Sequence, residues 1–472
     1  MNRQISRIGP AIAAALLLPP LTVFAFDSGS TGADGAFNPS VNTELQLPPD
    51  GVFNFTSVNI PNGVTVTFKR NAANTPVVIL AQSDVVIEGT IDVSGKNGAP
   101  TGDTASDGGD PSDDGLPGEG GPGGFDGGRG GIPYSDTTFG GGGLGPGGGA
   151  GGFYVPHPGY STDVYPGGPG SYATQGVGSS AGAGAVYGNE LLRPLVGGSG
   201  GGGGCAQTGG GSGGGGGGGA ILLAASGEIR LDGSINAYGG APGEARSATL
   251  WVIPGGGGSG GAIRLVASRV SGRGALSAMG SSSPVVAGSG RIRIEAESLT
   301  GNIVSSPSLV SGQPTELFVS NLPGLAITRI AGLPVPVEPV GRGDVSLVAT
   351  TLNPVEIELE THGVPVGTVI RVTMTPEFGS KTTVDSAPTV GSQDHANTSV
   401  NLDIPDGRSV LTATTTFTVV AALGDFLAPF AQGEKVERVQ LSAEVGHRSK
   451  MILLTATGRE VEMPAGALAA GW

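Results

Sequence analysis

The chain has 472 residues, with 24 Lys and Arg against 39 Asp and Glu, and its formal net charge of −15 argues against nucleic acid, whose phosphates bind basic patches. A single cysteine, Cys205, excludes an intrachain disulfide. Glycine supplies 91 residues without a sustained Gly-X-Y period, which excludes a collagen triple helix.

Residues 1–25 have the pattern of a secretory signal peptide. Arg3 and Arg7 precede a mostly apolar stretch, and Val23 and Ala25 are small residues at the two cleavage-determining positions. The apolar stretch is short and interrupted by prolines, which argues against an anchoring transmembrane helix, and no later stretch is long and apolar enough to span a membrane. We therefore expect a secreted or cell-surface protein.

Residues 26–95 are predicted to form an N-terminal cap and the first coils of a stack of strands. Residues 26–50 are polar and rich in turn residues, as the terminal units of solenoids are. Apolar residues at every second position then predict short strands. These strands are 52–60, 64–70, 77–81 and 84–95.

A two-part repeat organises residues 219–316. Its first half recurs at an offset of 42 residues (261 minus 219) and its second half at an offset of 41 (274 minus 233). The copies are 219–225, 261–267 and 290–296 for the first half, and 233–239, 274–280 and a start at 301–303 for the second. Repeats of this kind indicate one unit stacked on itself.

The same pattern occurs before residue 96, at a constant offset of 144 residues (229 minus 85). The matching positions are Val85, Ile87, Gly89, Ile91, Val93 and Gly95 against Ile229, Leu231, Gly233, Ile235, Ala237 and Gly239. Residues 26–95 and 219–316 are therefore predicted to form one all-β parallel β-helix, with an antiparallel sandwich or barrel as the alternative. The parallel arrangement predicts that Ile91, Ile235 and Leu276 lie in one buried column.

Residues 96–218 form a long glycine-rich insertion between the two parts of this stack. A loop of this length is either disordered or functional. In the second case its segments would be extended, polyproline-like and hydrogen-bonded to one another. We expect residues 187–196 to pack on the strands, and the aromatic residues of the insertion to serve recognition. Those residues are Phe125, Tyr134, Phe139, Phe153, Tyr154, Tyr160, Tyr165, Tyr172 and Tyr187.

Residues 317–472 have ordinary glycine content and a different pattern. Eight short alternating segments separated by turns predict an immunoglobulin-like β-sandwich, although the cysteine pair of that fold is missing. The predicted strands are 325–330, 344–348, 355–360, 368–374, 398–404, 409–420, 434–444 and 450–456.

The chain resembles a group of exported, glycine-rich bacterial proteins, largely uncharacterised, that are right-handed β-helices related in shape to pectate lyases. The resemblance rests on residues 26–37, 53–61 and 194–204 and on the Gly-Ala-Ile units that open the repeat. It implies the fold and export of residues 26–310. It implies no catalytic residue.

One candidate metal site is visible in the insertion. Clustered carboxylates in a turn-rich stretch can surround Ca²⁺, which takes six to eight oxygen ligands. The candidate ligands are Asp107, Asp110, Asp113 and Asp114, with Asp103 nearby. Their spacing matches neither an EF-hand nor the nonapeptide calcium repeat, and a solvated loop is the alternative.

Carboxylates in the repeat offer a candidate catalytic site. Asp84, Glu88 and Asp92 align with Glu228, Asp232 and Asn236, and Arg230, Arg264, Arg291 and Arg293 lie on the same or later coils. Outward carboxylates beside arginine would suit a polysaccharide lyase or a glycosidase. Simple strand alternation, with polar residues outside, is the favoured explanation.

These observations favour a secreted or cell-surface structural or adhesive protein without catalysis, which binds through the Gly/Tyr-rich lobe. Its expected partners are extracellular matrix, polysaccharide or another cell-surface component, and no cofactor is expected apart from the calcium considered above. The alternative is a polysaccharide-binding or polysaccharide-cleaving β-helix protein.

Overall fold

The computed structural model describes the residues that follow the predicted signal peptide, with internal gaps. The described ranges are 26–101, 115–132, 139–156, 162–178, 181–206, 210–244, 253–282, 286–315, 317, 322–335, 345–348, 350–420, 423–424, 427–431, 434–446 and 449–463. This part of the chain is all-β, and its few helical residues are 423–424, 427 and the 3₁₀ turn Ala428–Ala431. Within it, no helix is long and apolar enough to cross a bilayer.

Two parallel sheets occupy the first part of the chain. The strands are β1 (Gly35–Phe37), β2 (Thr43–Gln46), β3 (Val52–Ile60), β4 (Thr65–Lys69), β5 (Val77–Ala81), β6 (Val85–Ile87), β7 (Thr90–Asp92), β8 (Phe153–Pro156), β9 (Thr162–Tyr165), β10 (Ala220–Leu231), β11 (Ser234–Asn236), β12 (Ala262–Ser271), β13 (Ala275–Ser277), β14 (Arg291–Leu299), β15 (Val304–Ser306) and β16 (Val310–Gly312). Sheet A has the order β1-β3-β5-β10-β12-β14-β16, with β6 between β3 and β10, and sheet B has the order β2-β4-β7-β11-β13-β15. β5 and β6 both pair with β10 and together form one interrupted strand of sheet A. Counted so, and apart from the separate β8–β9 hairpin, the chain passes alternately through sheet A and sheet B, which is compatible with a solenoid.

The predicted column of apolar residues is confirmed. Ile235 is paired with Ile91 on one side and with Leu276 on the other, and all three side chains are fully buried. The 144-residue offset is also the observed register, since Ile229 and Leu231 pair with Val85 and Ile87. The column follows from strand alternation, because every second side chain enters the space between the sheets.

The last predicted copy is wrong by two residues. The repeat at 301–303 predicts that Ile303 lies opposite Leu276, but Ser305 takes that place. Ile303 instead packs against the edge of the core as a partly buried side chain. The last coil keeps the spacing of the earlier ones, because Leu299 and Ser305 are six residues apart, as are their partners Val270 and Leu276. The predicted copy was therefore aligned two residues too early.

Glycine-rich segments continue the parallel pairing beyond sheet B. Residues 93–98 donate hydrogen bonds to residues 236–241 at every second or third position, and residues 237–239 donate in turn to residues 277–279. The returning segments pair in the same way, since the amide of Gly215 donates to Gly256 and the amide of Gly218 donates to Ser259. The segment predicted as an insertion is thus continuous in its hydrogen bonding with the later coils.

The C-terminal part consists of two antiparallel sheets that share one core. The strands are β17 (Gly324–Ile330), β18 (Leu333–Pro334), β19 (Val355–His362), β20 (Arg371–Pro376), β21 (Thr382–Asp385), β22 (Val390–Ser392), β23 (His395–Leu402), β24 (Ser409–Thr418), β25 (Val436–Glu444), β26 (Lys450–Thr455) and β27 (Glu460–Glu462). Their orders are β18-β17-β19-β23-β22 and β21-β20-β24-β25-β26-β27. Buried residues from both sheets, among them Ile357, Val372 and Leu441, form the core.

Seven of the eight strands predicted here are present, with shifted ends. Residues 345–348 lie in no strand, although residues 344–348 were predicted as one. The short strands β18, β21, β22 and β27 are edge or near-edge strands with largely exposed residues, so they lack the alternation that identifies a half-buried strand.

Replacing Ile235 by Asp tests the importance of the column. The substitution places a carboxylate among fully buried apolar side chains, so we expect a loss of more than about 4 kcal/mol in unfolding free energy. Urea denaturation followed by circular dichroism measures it. Asn236→Asp is the control, because Asn236 is partly exposed on the outer face of the same strand. Equal denaturation midpoints for the two variants would show that the column does not support the stack.

Candidate functional site

Residues 198–204 lie at the centre of the glycine-rich region, where other segments surround them. Backbone hydrogen bonds or close backbone contacts connect them to six segments, which are 125–131, 141–144, 149–152, 167–170, 212–218 and 256–259. We call this assembly, together with residues 93–101, 115–124 and 237–244, the glycine bundle. A β-strand pairs with two neighbours in its sheet, so six neighbours identify a different backbone arrangement.

The hydrogen bonds of the central segment repeat every third residue. The amides of Gly198, Gly201 and Gly204 donate to the carbonyls of residues 218, 215 and 212 over 2.7 to 2.9 Å. A polyproline-II helix has three residues per turn and no internal hydrogen bonds, so its backbone groups are free to bond to neighbours on all sides. The described part of residues 96–218 therefore has the extended, mutually hydrogen-bonded arrangement and not the disordered one.

Glycine is required at the centre because the backbones approach too closely for a side chain. A Cβ atom on Gly201, Gly202 or Gly203 would collide with a carbonyl oxygen of a neighbouring segment. Other residue types occur where the surface is open: Leu116 is 39 % exposed and the Glu119 side chain is 47 % exposed. Their spacing of three residues follows the turn of the helix.

An aromatic patch lies at the end of the bundle away from the parallel sheets. The β8–β9 hairpin leaves the bundle after Gly152, which bonds to Gly203, whereas the opposite end of the central segment bonds to Gly218 beside β10. We define the patch as Phe139, Phe153, Tyr154, Val155 and Tyr165. The rings of Phe139 and Tyr154 meet edge to face at 5.6 Å, and those of Phe153 and Tyr165 stack at 4.5 Å.

This patch is open to solvent. Phe139 is 57 % exposed and Val155 is 39 % exposed, and the hairpin forms a separate two-stranded sheet. Large apolar side chains that remain exposed together mark binding surfaces more often than isolated ones do. The patch is therefore the part of the bundle best suited to recognition.

Two tyrosines expected to serve recognition are instead structural. Tyr172 and Tyr187 are buried, with ring centroids 4.6 Å apart, and the Arg291 guanidinium lies 5.7 Å from the Tyr172 ring. Burial raises the pKa of both phenols well above the usual value. The hydroxyl of Tyr187 donates to the carbonyl of Gly197, and Leu192 packs beside the two rings. Residues 187–196 therefore pack on the strands, as predicted, and Tyr134 and Tyr160 lie outside the described residues.

The calcium prediction lies in a part of the chain that the structure does not describe. Asp103, Asp107, Asp110, Asp113 and Asp114 all fall between residues 102 and 114. Among the residues that are described, no group of three or more His, Cys, Asp or Glu side chains is arranged to hold a metal ion.

Part of the carboxylate set on the coils comes together as exposed ion pairs. Arg230 bonds to Asp232 at 2.7 Å and lies 3.7 Å from Glu88. The hydrogen bond from Arg230 lowers the pKa of the Asp232 carboxyl, and the same bond raises the pKa of Arg230. Both shifts move the pKa of the group away from neutrality. Neither group therefore exchanges a proton readily at neutral pH, as a general acid or base must.

The remaining arginines lie elsewhere on the outer face of sheet A. Arg264 and Arg293 both bond to Glu295, at 3.1 and 2.7 Å, and all three side chains are at least nine-tenths buried. Burial opposes ionisation of Glu295, but the hydrogen bonds and charge of Arg264, aided by Thr315 and Arg293, lower the pKa of that carboxyl to about 2. Strand alternation predicted that these polar residues face outward, but it does not reveal that other segments of the chain cover them.

Cys205 lies inside the glycine bundle as a free thiol. It is fully buried, and burial raises the pKa of the thiol to about 11. A thiol in this state is protonated at neutral pH and reacts slowly, because the thiolate is the nucleophile. Its small size explains its place among glycines.

Comparison of the chain with protein-family models, with curated proteins and with solved structures finds no match.

The glycine requirement is testable at Gly201. A Gly201→Ala substitution forces backbones apart, so we expect the bundle to lose at least about 2 kcal/mol of stability. In the matched Gly142→Ala variant the new Cβ would lie 3.7 Å from its nearest neighbour, and we expect a change below about 1 kcal/mol. Thermal melts and amide hydrogen exchange measure both. Similar effects of the two substitutions would contradict the packing described for the centre.

The buried arginine pairs predict an acid-sensitive contribution to stability. Because the pKa of Glu295 is lowered from 4.5 to about 2, its stabilisation is present above pH 4.5 and is lost as the pH falls towards 2. Glu295→Gln should cost about 3 to 5 kcal/mol at pH 7, since it leaves two buried arginines without their partner.

Denaturant midpoints between pH 7 and pH 2 measure this contribution. The matched control is Asp385→Asn, which breaks an exposed pair with Arg371 and should leave the denaturant midpoint nearly unchanged. A cost for Glu295→Gln that stays constant down to pH 2 would refute the linkage.

Proposed function

We propose that the protein is an exported structural or adhesive protein of the cell surface or extracellular space, without catalytic activity, that binds through the glycine bundle. In this proposal the two parallel sheets form a parallel β-helix, and the C-terminal sheets form an immunoglobulin-like sandwich. Export rests on the signal-peptide pattern of residues 1–25. The partner is extracellular matrix, polysaccharide or another cell-surface component.

The observation behind the proposal is the aromatic patch at the end of the bundle. Its hairpin is attached to segments whose backbones are bonded to several neighbours, so the patch is presented by an interlocked support. Aromatic side chains offer large contact area with few rotatable bonds, which suits them to binding. A loop-like surface on an ordered scaffold is where binding sites are commonly found.

The exposed ion pairs support a protein without catalysis over the polysaccharide-cleaving alternative. Arg230 and Asp232 neutralise each other, and the pKa of each is shifted away from neutrality. Arg264 and Arg293 are committed to Glu295 in a buried cluster, where a polysaccharide does not reach them. The candidate catalytic residues thus lie in separate groups, since Asp92 and Asn236 are in neither of these and lie on sheet B.

The proposal predicts that the aromatic patch is needed for adhesion. The double variant Phe139→Ser, Tyr154→Ser removes one exposed ring pair, and we expect adsorption to cells and to extracellular matrix to weaken by about tenfold or more. Adsorption isotherms of the purified protein measure this effect. The control is Val177→Ser, Val286→Ser, which removes two exposed apolar residues from another part of the chain.

Two results would count against the proposal. Equal adsorption of the two double variants would show that the patch is not the binding surface. Turnover of a polysaccharide by the intact protein, abolished by Asp232→Asn, would establish the enzymatic alternative instead.

A further inference from the structure

A second regular surface lies on sheet B, on the side away from the apolar core. Residues that alternate with the buried column form two outward columns across strands β4, β7, β11, β13 and β15. The columns are Thr65, Thr90, Ser234, Ala275 and Val304, and Thr67, Asp92, Asn236, Ser277 and Ser306. We call these two columns the ladder face.

The ladder face has short, mostly polar side chains that recur on each strand. Nearly all of its side chains are short, and eight of the ten are polar. Strand spacing places successive members about 4.8 Å apart, so the five strands span roughly 19 Å. Thr90 and Ser234 show this regularity directly, because their hydroxyl oxygens lie 3.0 Å apart. The side chains are partly or fully exposed, so the face is accessible.

We propose that the ladder face binds a neutral, extended polysaccharide that runs across the strands. A polymer that repeats along its axis can make equivalent contacts on successive or alternate strands of such a face, and an extended polysaccharide is a polymer of this kind. Hydroxyl and amide side chains both donate and accept hydrogen bonds, as sugar hydroxyls do. This site lies on a different surface from the aromatic patch and does not depend on it.

The edge of the ladder face adds an aromatic ring. Tyr238 follows Asn236 by two residues, so it continues the outward direction beyond β11, and it is 42 % exposed. Its ring has an apolar face for the C–H side of a sugar and a hydroxyl for hydrogen bonding. Met279 occupies the same position on the next coil, and its backbone carbonyl accepts from Gly239.

Charge indicates a neutral polymer and not an acidic one. Asp92 is the charged member of the two columns, and Glu44 extends the second column on β2, opposite Thr67. Both are negative, whereas Lys69, exposed two residues after Thr67 on the same side of β4, is positive. The face therefore has no excess of positive charge to attract a polyanion, and a neutral sugar chain requires none.

The test measures binding of the full chain to cellulose and to a soluble β-glucan, with polygalacturonate as the acidic comparison. Ser234→Arg and Ser277→Arg place long side chains across the flat face, and each should weaken binding to the neutral polymers by about tenfold or more. Tyr238→Ala, which removes the partly exposed ring at the edge of the face, should weaken it several-fold. Thr416→Arg, on an exposed position of β24, is the matched control.

The outcomes separate this site from the aromatic patch. Loss of binding in the ladder-face variants, with native melting curves and normal binding by Phe139→Ser, Tyr154→Ser, would support the proposal. It is overturned if the wild-type protein binds none of the neutral polymers, prefers polygalacturonate, or binds equally well after Tyr238→Ala and Ser277→Arg. Inhibition of ice recrystallisation that depends on the same residues would also overturn it, because the repeating ligand would then be ice.

Discussion

Backbone hydrogen bonds between segments that have no room for side chains hold the glycine bundle together. Buried amide and carbonyl groups must be paired, and here the partners of one segment are distributed over several neighbours around it. Ordering so many glycines is entropically expensive, because glycine loses more backbone freedom than any other residue. The many short backbone bonds, each modest in net free energy, offset this cost only when all segments are in place.

The apolar column and the glycine bundle share one register. Ile235 lies between Ile91 and Leu276, and three or four residues later the backbone of the same coils continues as paired glycine-rich segments. A slip of one residue would turn the apolar side chains outward and would also move glycine away from the closest backbone contacts. The two packing systems therefore select the same alignment, one through side chains and the other through their absence.

Sequence patterns predicted the part of the fold that depends on alternation. The 144-residue offset located the pairing of Ile235 with Ile91 across a long intervening segment, because strands with one buried face have a period of two. The sequence also contains a signal for the glycine bundle. Residues other than glycine are spaced by three there, as in Leu116 and Glu119 and in Asp126, Arg129 and Ile132. A polyproline-II helix has three residues per turn, so side chains spaced by three lie on one side of it, which here is the side open to solvent.

Other features depend on contacts between distant segments, which no local pattern records. The rings of Tyr172 and Tyr187 are buried against each other and beside Arg291, which is more than a hundred residues away in the chain. Likewise, alternation places Arg264 on the outer face of its strand, and only the segments packed over that face enclose it with Glu295. Residue type singled out the aromatic side chains of the insertion, but which of them are exposed together depends on the bundle.

Thr315 gives the junction before the C-terminal sheets a mechanical property. Its amide and hydroxyl donate to Glu295, and its hydroxyl also accepts from Arg264 and from Arg193. Tension applied to the chain from the C-terminal side is therefore borne at this point, and shared with sheet A and with the segment at 193, before it reaches the short edge strand β16. A chain pulled from this side would be loaded through a buried ionic anchor and not peeled strand by strand from its end.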